Sequence, residues 1–568
     1  MSSLRFLTAG ESHGPALLGI LDGLPAGLAL LAAHIARDLQ RRKLGYGRGG
    51  RMKIEPEEPR ILCGVRHGLT LGSPLGVMIE NADHLKAWSE RMAVGPSPEP
   101  GKEVTLPRPG HADLTGAIKF GHRDLRNSLE RSSARETAMR VALGAAARRL
   151  LDELDIKVGS FVTSIGSACT RDIVELEPEL SRDDAEALAL KADLSSVRCL
   201  DPAAEGGLRA AIEEAQARRD TVGGTFEVRV TGLVPGLGSY TQQDLRLDAL
   251  LARALASIPA IKAVELGDGF RGGALFGSQV HDPIARLGAA LVRPTNHAGG
   301  TEGGVTNGEP LVVRAVMKPI ATLSAALPSV DLITGEEGKA HVERSDTCAV
   351  PAAAVVGEAV VALALAEAVL AKLGGDSMSE LHHALRLAFR RARLLPGHLF
   401  LCGLPGAGKS TLAPLLGQRL GLPAVDLDAE IEREAGASVA EIFAKEGEAG
   451  FRLREARALR ALVAGPQKVI ALGGGAVTTL SVRALVRRTG HLLWLDAKPE
   501  QCAARASSGR PLLQGDALAQ VTALAEARNP IYARLADARI DTSAQPADRA
   551  ADQACAAVLA LEEERAHR

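Results

Sequence analysis

Apolar positions along the chain follow two periods, and the switch between them predicts its elements. Short apolar runs closed by glycine or polar turns read as strands, and runs repeating every three to four residues read as helices. In the first two thirds, strands are predicted at Leu4 to Thr8, Gly224 to Val234 and Glu309 to Lys318. Helices are predicted at about Ala32 to Lys43, from Asn127 to about Leu154, from Asp201 to Arg219 and from Asp244 to Ser257. Ala349 to Leu373 is the most membrane-like stretch. Glu358, Glu367 and Lys372 interrupt it and alanine dominates, so it reads as a buried helix. Gly267 to Gly308 is poor in core residues, which marks a functional loop or a disordered one.

After residue 396 the pattern changes. Strands at His398 to Cys402, Ala424 to Asp428, Val469 to Gly473 and Leu492 to Asp496 alternate with helical stretches, among them Thr411 to Leu420 and Ala429 to Ala435. That alternation predicts a parallel sheet with helices on both faces and a ligand at the carboxyl ends of the strands. Between the two regions, Ser377 to Arg393 reads as one basic helix with few apolar residues, hence a tether. The chain therefore divides into 1–375, a helical linker 376–396, and 397–568.

Composition narrows the class. With 568 residues, 46% hydrophobic and 24% charged, the chain suits a soluble globular protein of two or three domains. Net charge is −1, so no global field draws it to nucleic acid. Seven cysteines without a CxxC or Cys/His cluster read as reduced thiols of a cytoplasmic protein. The N-terminus lacks the apolar run of a signal peptide.

The sharpest chemical signal is Gly403-Leu-Pro-Gly406-Ala407-Gly408-Lys409-Ser410-Thr411, a full match to the phosphate-cradling loop between a strand and a helix. Backbone N–H groups and the helix N-terminus meet phosphate oxygens, Lys409 reaches the β/γ-phosphates and Ser410 sits on Mg²⁺. Asp426 and Asp428 flank Leu427 at a strand end, so period two predicts that both carboxylates point toward this loop. One helps hold Mg²⁺ and the other takes an acceptor hydroxyl; a helix cap is the simpler alternative. Gly473-Gly474-Gly475 after a buried strand lets a ligand approach the backbone. Arg452, Arg510 and Arg528 supply cations for a moving phosphoryl group and its acceptor.

In the N-terminal part, His13 and His111 each lie in a turn. Between Arg37 and Lys53 there are seven Arg/Lys and one acid, in a glycine-rich setting. That segment is a solvated charge run, an RNA-binding patch, or a loop over an anionic small molecule; only Tyr46 is near to stack a base. Ser132 and Ser133 near Arg131 and Arg135 suit a helix cap or an anion site. Asp346 suits a cap of the alanine-rich helix.

Taken together, Gly10-Glu-Ser-His-Gly14, Gly45-Tyr-Gly-Arg-Gly-Gly-Arg-Met-Lys-Ile-Glu55, Arg108-Pro-Gly-His-Ala-Asp113, Arg131-Ser-Ser-Ala-Arg-Glu-Thr137 and Arg344-Ser-Asp-Thr-Cys-Ala-Val-Pro351 resemble chorismate synthase, in order, over about Met1 to Gly375. The resemblance implies a β-α-β sandwich and elimination of phosphate from 5-enolpyruvylshikimate 3-phosphate, with reduced FMN and no net redox change. It implies His13 and His111 as the acid/base pair and Asp346 as an aid to proton removal. Arg42 and Arg48 match positions lining the nucleotide and substrate loop. Arg131, Ser132, Ser133, Gly303, Lys318, Pro319, Ile320, Ala321, Thr322 and Arg344 match positions that hold FMN. The family's Lys-Pro-Thr-Ser-Ser is Lys-Pro-Ile-Ala-Thr here, two hydroxyls fewer. Some members of that family reduce FMN with NADPH, and the family is usually tetrameric, which implies a homo-oligomer formed through this region.

Gly403 to Thr411, Asp426-Leu-Asp428, Glu448-Ala-Gly-Phe-Arg452, Gly473-Gly-Gly475, Arg510-Pro-Leu-Leu513 and Arg528-Asn-Pro-Ile-Tyr532 resemble shikimate kinase over about Gly397 to Leu561. That resemblance implies Asp428 on the shikimate hydroxyls, Arg452, Arg528 and Gly474 at the carboxylate, and Arg510 at a lid from Arg505 to Arg510. The expectation is a bifunctional α/β and α+β enzyme acting on small molecules. The alternative of another class is a synthase carrying a nucleotide-sensing domain that phosphorylates nothing. The step between the two reactions, enolpyruvyl transfer, has no counterpart in the chain.

Overall fold

The computed structural model describes residues 4–49, 54–97, 101–177, 184–505, 516–543 and 545–567. They form two compact units: Met1–His281 with Asn296–Leu381, and Asp282–Thr295 with His382–Arg568.

The first unit is a sandwich of sheet, helices and sheet. One antiparallel sheet has the order Arg5–Ala9, Ala16–Asp22, Leu75–Glu80, Pro59–Cys63. The other runs Ile261–Leu266, Leu311–Met317, Gly224–Thr231, Lys157–Ile165, Ala168–Cys169. Helices Ala32–Lys43, Glu136–Glu153 and Val350–Leu373 pack in the layer between. Alternation works as period two requires: Leu17 and Leu21 point to the helices and are buried, while Leu18 and Ile20 are exposed. The 350–373 helix is apolar on every side because it is enclosed on every side.

Its one buried acid, Glu358, is met by Arg41 at 2.6 and 2.9 Å, Arg148 at 2.7 Å, Arg198 at 3.3 Å and the Ser160 hydroxyl at 2.6 Å. Burial alone would raise this carboxyl's pKa. The surrounding arginines outweigh it and hold the group well below the usual carboxylate range. The pairing therefore adds stability above the unfolded-state pKa of about 4.3 and loses it as pH falls toward the folded value.

The same layer is tight at Gly144, where an added Cβ would lie 2.5 Å from Ala359 Cβ and 2.7 Å from its backbone. Alanine is the better helix former by about 1 kcal/mol. Forcing two buried helices apart costs about 1–3 kcal/mol. Gly144→Ala should therefore lower the denaturation midpoint of the first unit; a midpoint at or above wild type would show the helices can move.

Three expectations change. The long helix begins at Glu136, after a separate turn at Arg126–Leu129, and its N-cap Arg135 makes no side-chain cap bond. Ser132 bonds back to the Ser128 carbonyl at 2.9 Å and caps nothing, whereas Ser133 donates to the Ser12 hydroxyl at 3.1 Å and accepts from the backbone N–H of Arg135 at 3.3 Å, just ahead of the helix. The 267–308 tract is built from short helices and the hairpins 285–292 and 301–306. Finally, the helix Met378–Ala392 divides between the units at Leu381/His382. Leu385 and Phe389 on its apolar stripe are buried, and Arg393 just past its end pairs with Asp537 at 3.0 Å, so this half is part of the second unit's packing and no loose tether.

The second unit carries the predicted parallel sheet, in the order Ala424–Asp426, Val469–Ala471, His398–Cys402, Gly490–Asp496, Ala538–Asp541. Its last strand was not foreseen: Ala538–Asp541 is four residues long with only Ile540 buried, which leaves no periodic signal.

Candidate active sites

A cavity of about 570 Å³ opens in the first unit, within the size range of small-molecule and cofactor sites. His13, Arg42, Arg48, Arg131, Ser132, Ser133, Lys318, Ile320, Ala321, Thr322, Arg344 and Asp346 line it, with His111. The two histidines, 98 residues apart in sequence, thus share one chamber. Among the described residues its wall includes neither Gly303 nor Pro319. Gly303 and Gly304, at φ +61° and +86°, are the two-residue turn joining Thr301–Glu302 to Val305–Thr306; that turn demands positive φ at both positions, which accounts for the glycines.

Most of the cations are anchored. Arg42 bonds Glu57 at 3.0 Å, the Thr137 hydroxyl at 3.0 Å and the Ala134 carbonyl at 3.1 Å. Arg131 holds the carbonyls of Thr8 at 2.8 Å and Gly10 at 3.1 Å at the end of the first strand. Asp346 accepts from Arg48 at 2.6 Å and from the Gly49 N–H at 2.6 Å, and the alanine-rich helix starts on Ala349 with no side-chain cap bond. Asp346 is therefore no helix cap; it ties the glycine-rich loop to the cavity. Burial pulls the Arg48 guanidinium pKa down, with Asp346 opposing. Thr322, the hydroxyl left in Lys-Pro-Ile-Ala-Thr, accepts from Arg108 at 2.7 Å, and the Lys318 amine donates to the Gly110 carbonyl at 2.7 Å.

Arg135, named above beside a candidate anion site, lines the cavity too, as do Arg108, Arg140 and Glu343, which were not singled out as site residues. Arg108 stands inside a quoted motif, so motif position alone could have nominated it. Arg140 carries the weaker signal of lying one helical turn beyond Glu136, which it meets at 2.9 Å.

In the second unit the phosphate loop sits between strand His398–Cys402 and helix Lys409–Leu420. Gly406, at φ +84°, leaves room that a Cβ would close at 2.2 Å from the Cys502 carbonyl. The helix starts on Gly408, which has no side chain to cap the first-turn amides. Lys409 curls onto the Gly403 and Leu404 carbonyls at 2.9 and 3.0 Å, and Ala407 and Thr411 complete the motif. Ser410 donates to Asp426 at 2.6 Å, a hydroxyl and a carboxylate together, which is a donor pair suited to Mg²⁺.

The period-two reading of Asp426 and Asp428 does not hold. The strand stops at Asp426, which caps the helix Leu427–Ala435 through the Asp428 N–H at 3.1 Å, and Asp428 lies in that helix's first turn. The chain's turn sends the two carboxylates to different partners: Asp426 to Ser410, Asp428 to the triple glycine. A Cβ on Gly473 would stand 2.7 Å from both Asp428 Oδ1 and Glu455 Oε1. Gly474 lies against Arg528 Nη1 and Pro405 of the phosphate loop, and Gly475 against Arg452. The bare backbone of 473–475 is thus ringed by two carboxylates and two guanidiniums beside the nucleotide loop. Glu455 is fully buried and holds Arg452 at 2.8 Å; its pKa is raised by burial, with Arg452 opposing and Asp428 adding. It was missed, although it lies three residues past Arg452 on the same helix face. Arg510 and most of the lid stretch lie outside the described residues.

A side chain at Gly475 would come 2.2 Å from Arg452 Nη2. That guanidinium is a movable end, so Gly475→Ala should leave stability nearly unchanged and swing Arg452 aside. Losing one charge-assisted contact costs about 1.5–3 kcal/mol, so KM for the phosphoryl acceptor should rise about 10–100-fold with KM for the nucleotide unmoved. Steady-state kinetics with each substrate varied checks this.

A chamber lined with arginines around two histidines, and a phosphate loop facing a carboxylate and two guanidiniums, define a two-centre enzyme of phosphate chemistry on small anionic molecules. The chain belongs to the chorismate synthase family, whose model matches residues 4–370, and a shikimate kinase model matches residues 405–559. The chorismate synthase of Rubrobacter xylanophilus is 53% identical over 389 residues, covering 68% of this chain and 97% of its own; that of Trichlorobacter lovleyi is 54% identical over 387, covering 66% and 96%. A crystal structure of chorismate synthase, 40% identical, superposes on 69% of this chain and 99% of its own with a TM-score of 0.55. The chain is a bifunctional enzyme of the shikimate pathway, a lyase and a phosphotransferase.

Proposed function

We propose that the 1–375 region eliminates phosphate from 5-enolpyruvylshikimate 3-phosphate at the arginine-lined cavity, and that the 397–568 region phosphorylates shikimate with ATP, the segment 376–396 joining them. The observation that carries the first half is His13 and His111 in one chamber with Arg42, Arg48, Arg131, Lys318 and Arg344. These cations suit two carboxylates and two phosphates, the charges of substrate plus FMN. Reduced FMN bound there would supply transient electron density for cleavage of the C–O bond, with no net redox change. Ser132, Ser133, Lys318, Thr322 and Arg344 would hold it, and NADPH or an outside donor would reduce it. His13 and His111 move protons at the cavity, and Asp346, tied to Arg48, assists removal of the ring proton.

In the kinase half, Lys409 and the loop backbone draw charge from the transferred phosphoryl group, and Ser410 with Asp426 would hold Mg²⁺. Asp428 takes the proton of the attacking hydroxyl. Arg452 and Arg528 fix the acceptor carboxylate, and Arg510 would reach the phosphates. The retained acceptor ring of Asp428, Arg452 and Arg528 favours this over a nucleotide sensor. We further propose a cytoplasmic homo-oligomer, a tetramer formed through the first region; among the described residues the one apolar helix of membrane-spanning length, Val350–Leu373, is buried in the protein.

One preparation tests both halves. Anaerobic chorismate formation with photoreduced FMN tests the synthase, and ADP release that depends on shikimate tests the kinase. ADP release indifferent to shikimate would favour the sensor, and no chorismate would remove the first half.

A further inference from the structure

Behind each cavity histidine stands a buried carboxylate, and behind each carboxylate an arginine. We infer that Glu130 and Asp113 are positioning residues: each accepts the Nδ1–H of its histidine and so commits Nε2 to proton exchange with the ligand in the cavity. The inference rests on the reading of the cavity given above and names what sets the protonation geometry of its two histidines.

For His13, Nδ1 lies 2.9 and 3.0 Å from the two Glu130 oxygens, and its backbone N–H donates to Glu130 at 2.8 Å. The ring stacks on Trp88 with centroids 3.9 Å apart and planes 22° from parallel. A bond in the plane and a stack across it leave the ring no rotation. Arg126 donates to Glu130 at 2.8 Å and lies over Trp88 as well.

For His111, Nδ1 lies 2.6 Å from Asp113 Oδ1. Arg108 grips Asp113 with Nε at 2.8 Å, Nη2 at 3.0 Å and its backbone N–H at 3.0 Å. Arg108 Nη2 also lies 3.1 Å from His111 Nδ1 and, at the limit of a hydrogen bond, 3.5 Å from Nε2. Two N–H groups cannot donate to each other. With Asp113 ionised, the shorter contact puts the imidazole proton on Nδ1 and turns Arg108 to the carboxylate.

Both carboxylates stay ionised. Burial pushes the Asp113 and Glu130 pKa values up, but hydrogen bonds from the histidine and the arginine prevail and bring both below the ordinary carboxylate value. Neither Glu130 nor Asp113 lines the cavity, so each acts through its histidine. With the proton fixed on Nδ1, neutral Nε2 presents a lone pair and can accept a proton; once it has, the charge behind the ring stabilises the imidazolium. An amide in the carboxylate's place can donate to Nδ1 instead, which puts a hydrogen on Nε2 and removes the base.

Other charges near the rings remain in every variant. Asp83 is 4.0 Å from His13 Nε2 and is itself paired with Arg344, and the His84 ring donates to the His13 carbonyl at 2.9 Å. Near His111 the further charge is Lys318, on the Gly110 carbonyl.

The test uses the full-length, ligand-free protein. In protein labelled with ¹⁵N at histidine, the ring nitrogens report which of them carries the proton. His13 and His111 should each be protonated at Nδ1; Asp113→Asn should move the proton of His111 to Nε2 and leave His13 as it was, and Glu130→Gln should do the reverse. In the anaerobic synthase assay each should lose about 10–10³-fold in kcat with less than about a threefold change in KM. If an amide variant fails to fold, Asp113→Glu and Glu130→Asp carry the test: a carboxylate displaced by one methylene should lower kcat and keep the proton on Nδ1. A proton that stays on Nδ1 in the amide variants, or unchanged kcat in the displaced ones, overturns the inference. Wild-type protein that makes no chorismate overturns the proposed function instead, and the ring-nitrogen signals still decide this point.

Discussion

Asp428→Asn is expected to cut shikimate phosphorylation by about 10²–10⁴-fold while ATP binding and chorismate formation persist. Asp428 sits in the first turn of the 427–435 helix with Oδ1 against Gly473, on the acceptor side of the phosphate loop. Its isostere keeps the shape and loses the ability to take a proton. On the function proposed above, the loop backbone, Lys409 and Ser410 hold the nucleotide, so an ATP isotherm should be unchanged. Glu455 holds Arg452 through Oε2 while its Oε1 also faces Gly473, so Glu455→Gln is the control for this variant. Turnover at the wild-type rate, measured by ADP release with saturating shikimate, would remove Asp428 from the chemistry.

His111→Ala carries the second large effect: chorismate formation should fall by about 10²–10⁴-fold and shikimate phosphorylation should not change. The imidazole is lost, and so is the partner of Asp113, whose charge then rests on Arg108 alone. Because Arg108 holds that carboxylate through three N–H groups, the cavity wall should keep its shape, and FMN binding measured by fluorescence should survive. A variant that made chorismate at the normal rate would assign the proton transfers to His13 alone. One that lost both activities would contradict two separate centres.

Much of this was legible in the residues. The phosphate loop announces itself through spacing, and the strand His398–Cys402 through its closed apolar run. The alanine-rich helix was readable as buried because its charges are too many for a membrane span, and Glu358 indeed meets its arginines inside. The periodic signal misleads where the chain changes element within two residues, as at Asp426 and Asp428. Gly303 stands at a hairpin tip outside the cavity wall, and a glycine pair at a hairpin tip and one at a binding loop are the same letters in a sequence. Asp113 and Glu130 stayed hidden for a different reason. A carboxylate that acts on a histidine from behind leaves no spacing rule, since one pair is two residues apart and the other 117.

The second unit is not a continuous stretch of polypeptide. Residues 282–295 belong to it, with Leu287 against its core and Gly288 and Ala289 against His398 and Gly397 at the start of its central strand. A gene severed at the linker would strand that hairpin on the wrong product, and the shortened kinase would expose to water an imidazole that the intact chain keeps dry. Separating the two catalysts by recombination therefore requires either a splice that carries the hairpin along or a substitute for it, which makes the fusion harder to undo than to inherit.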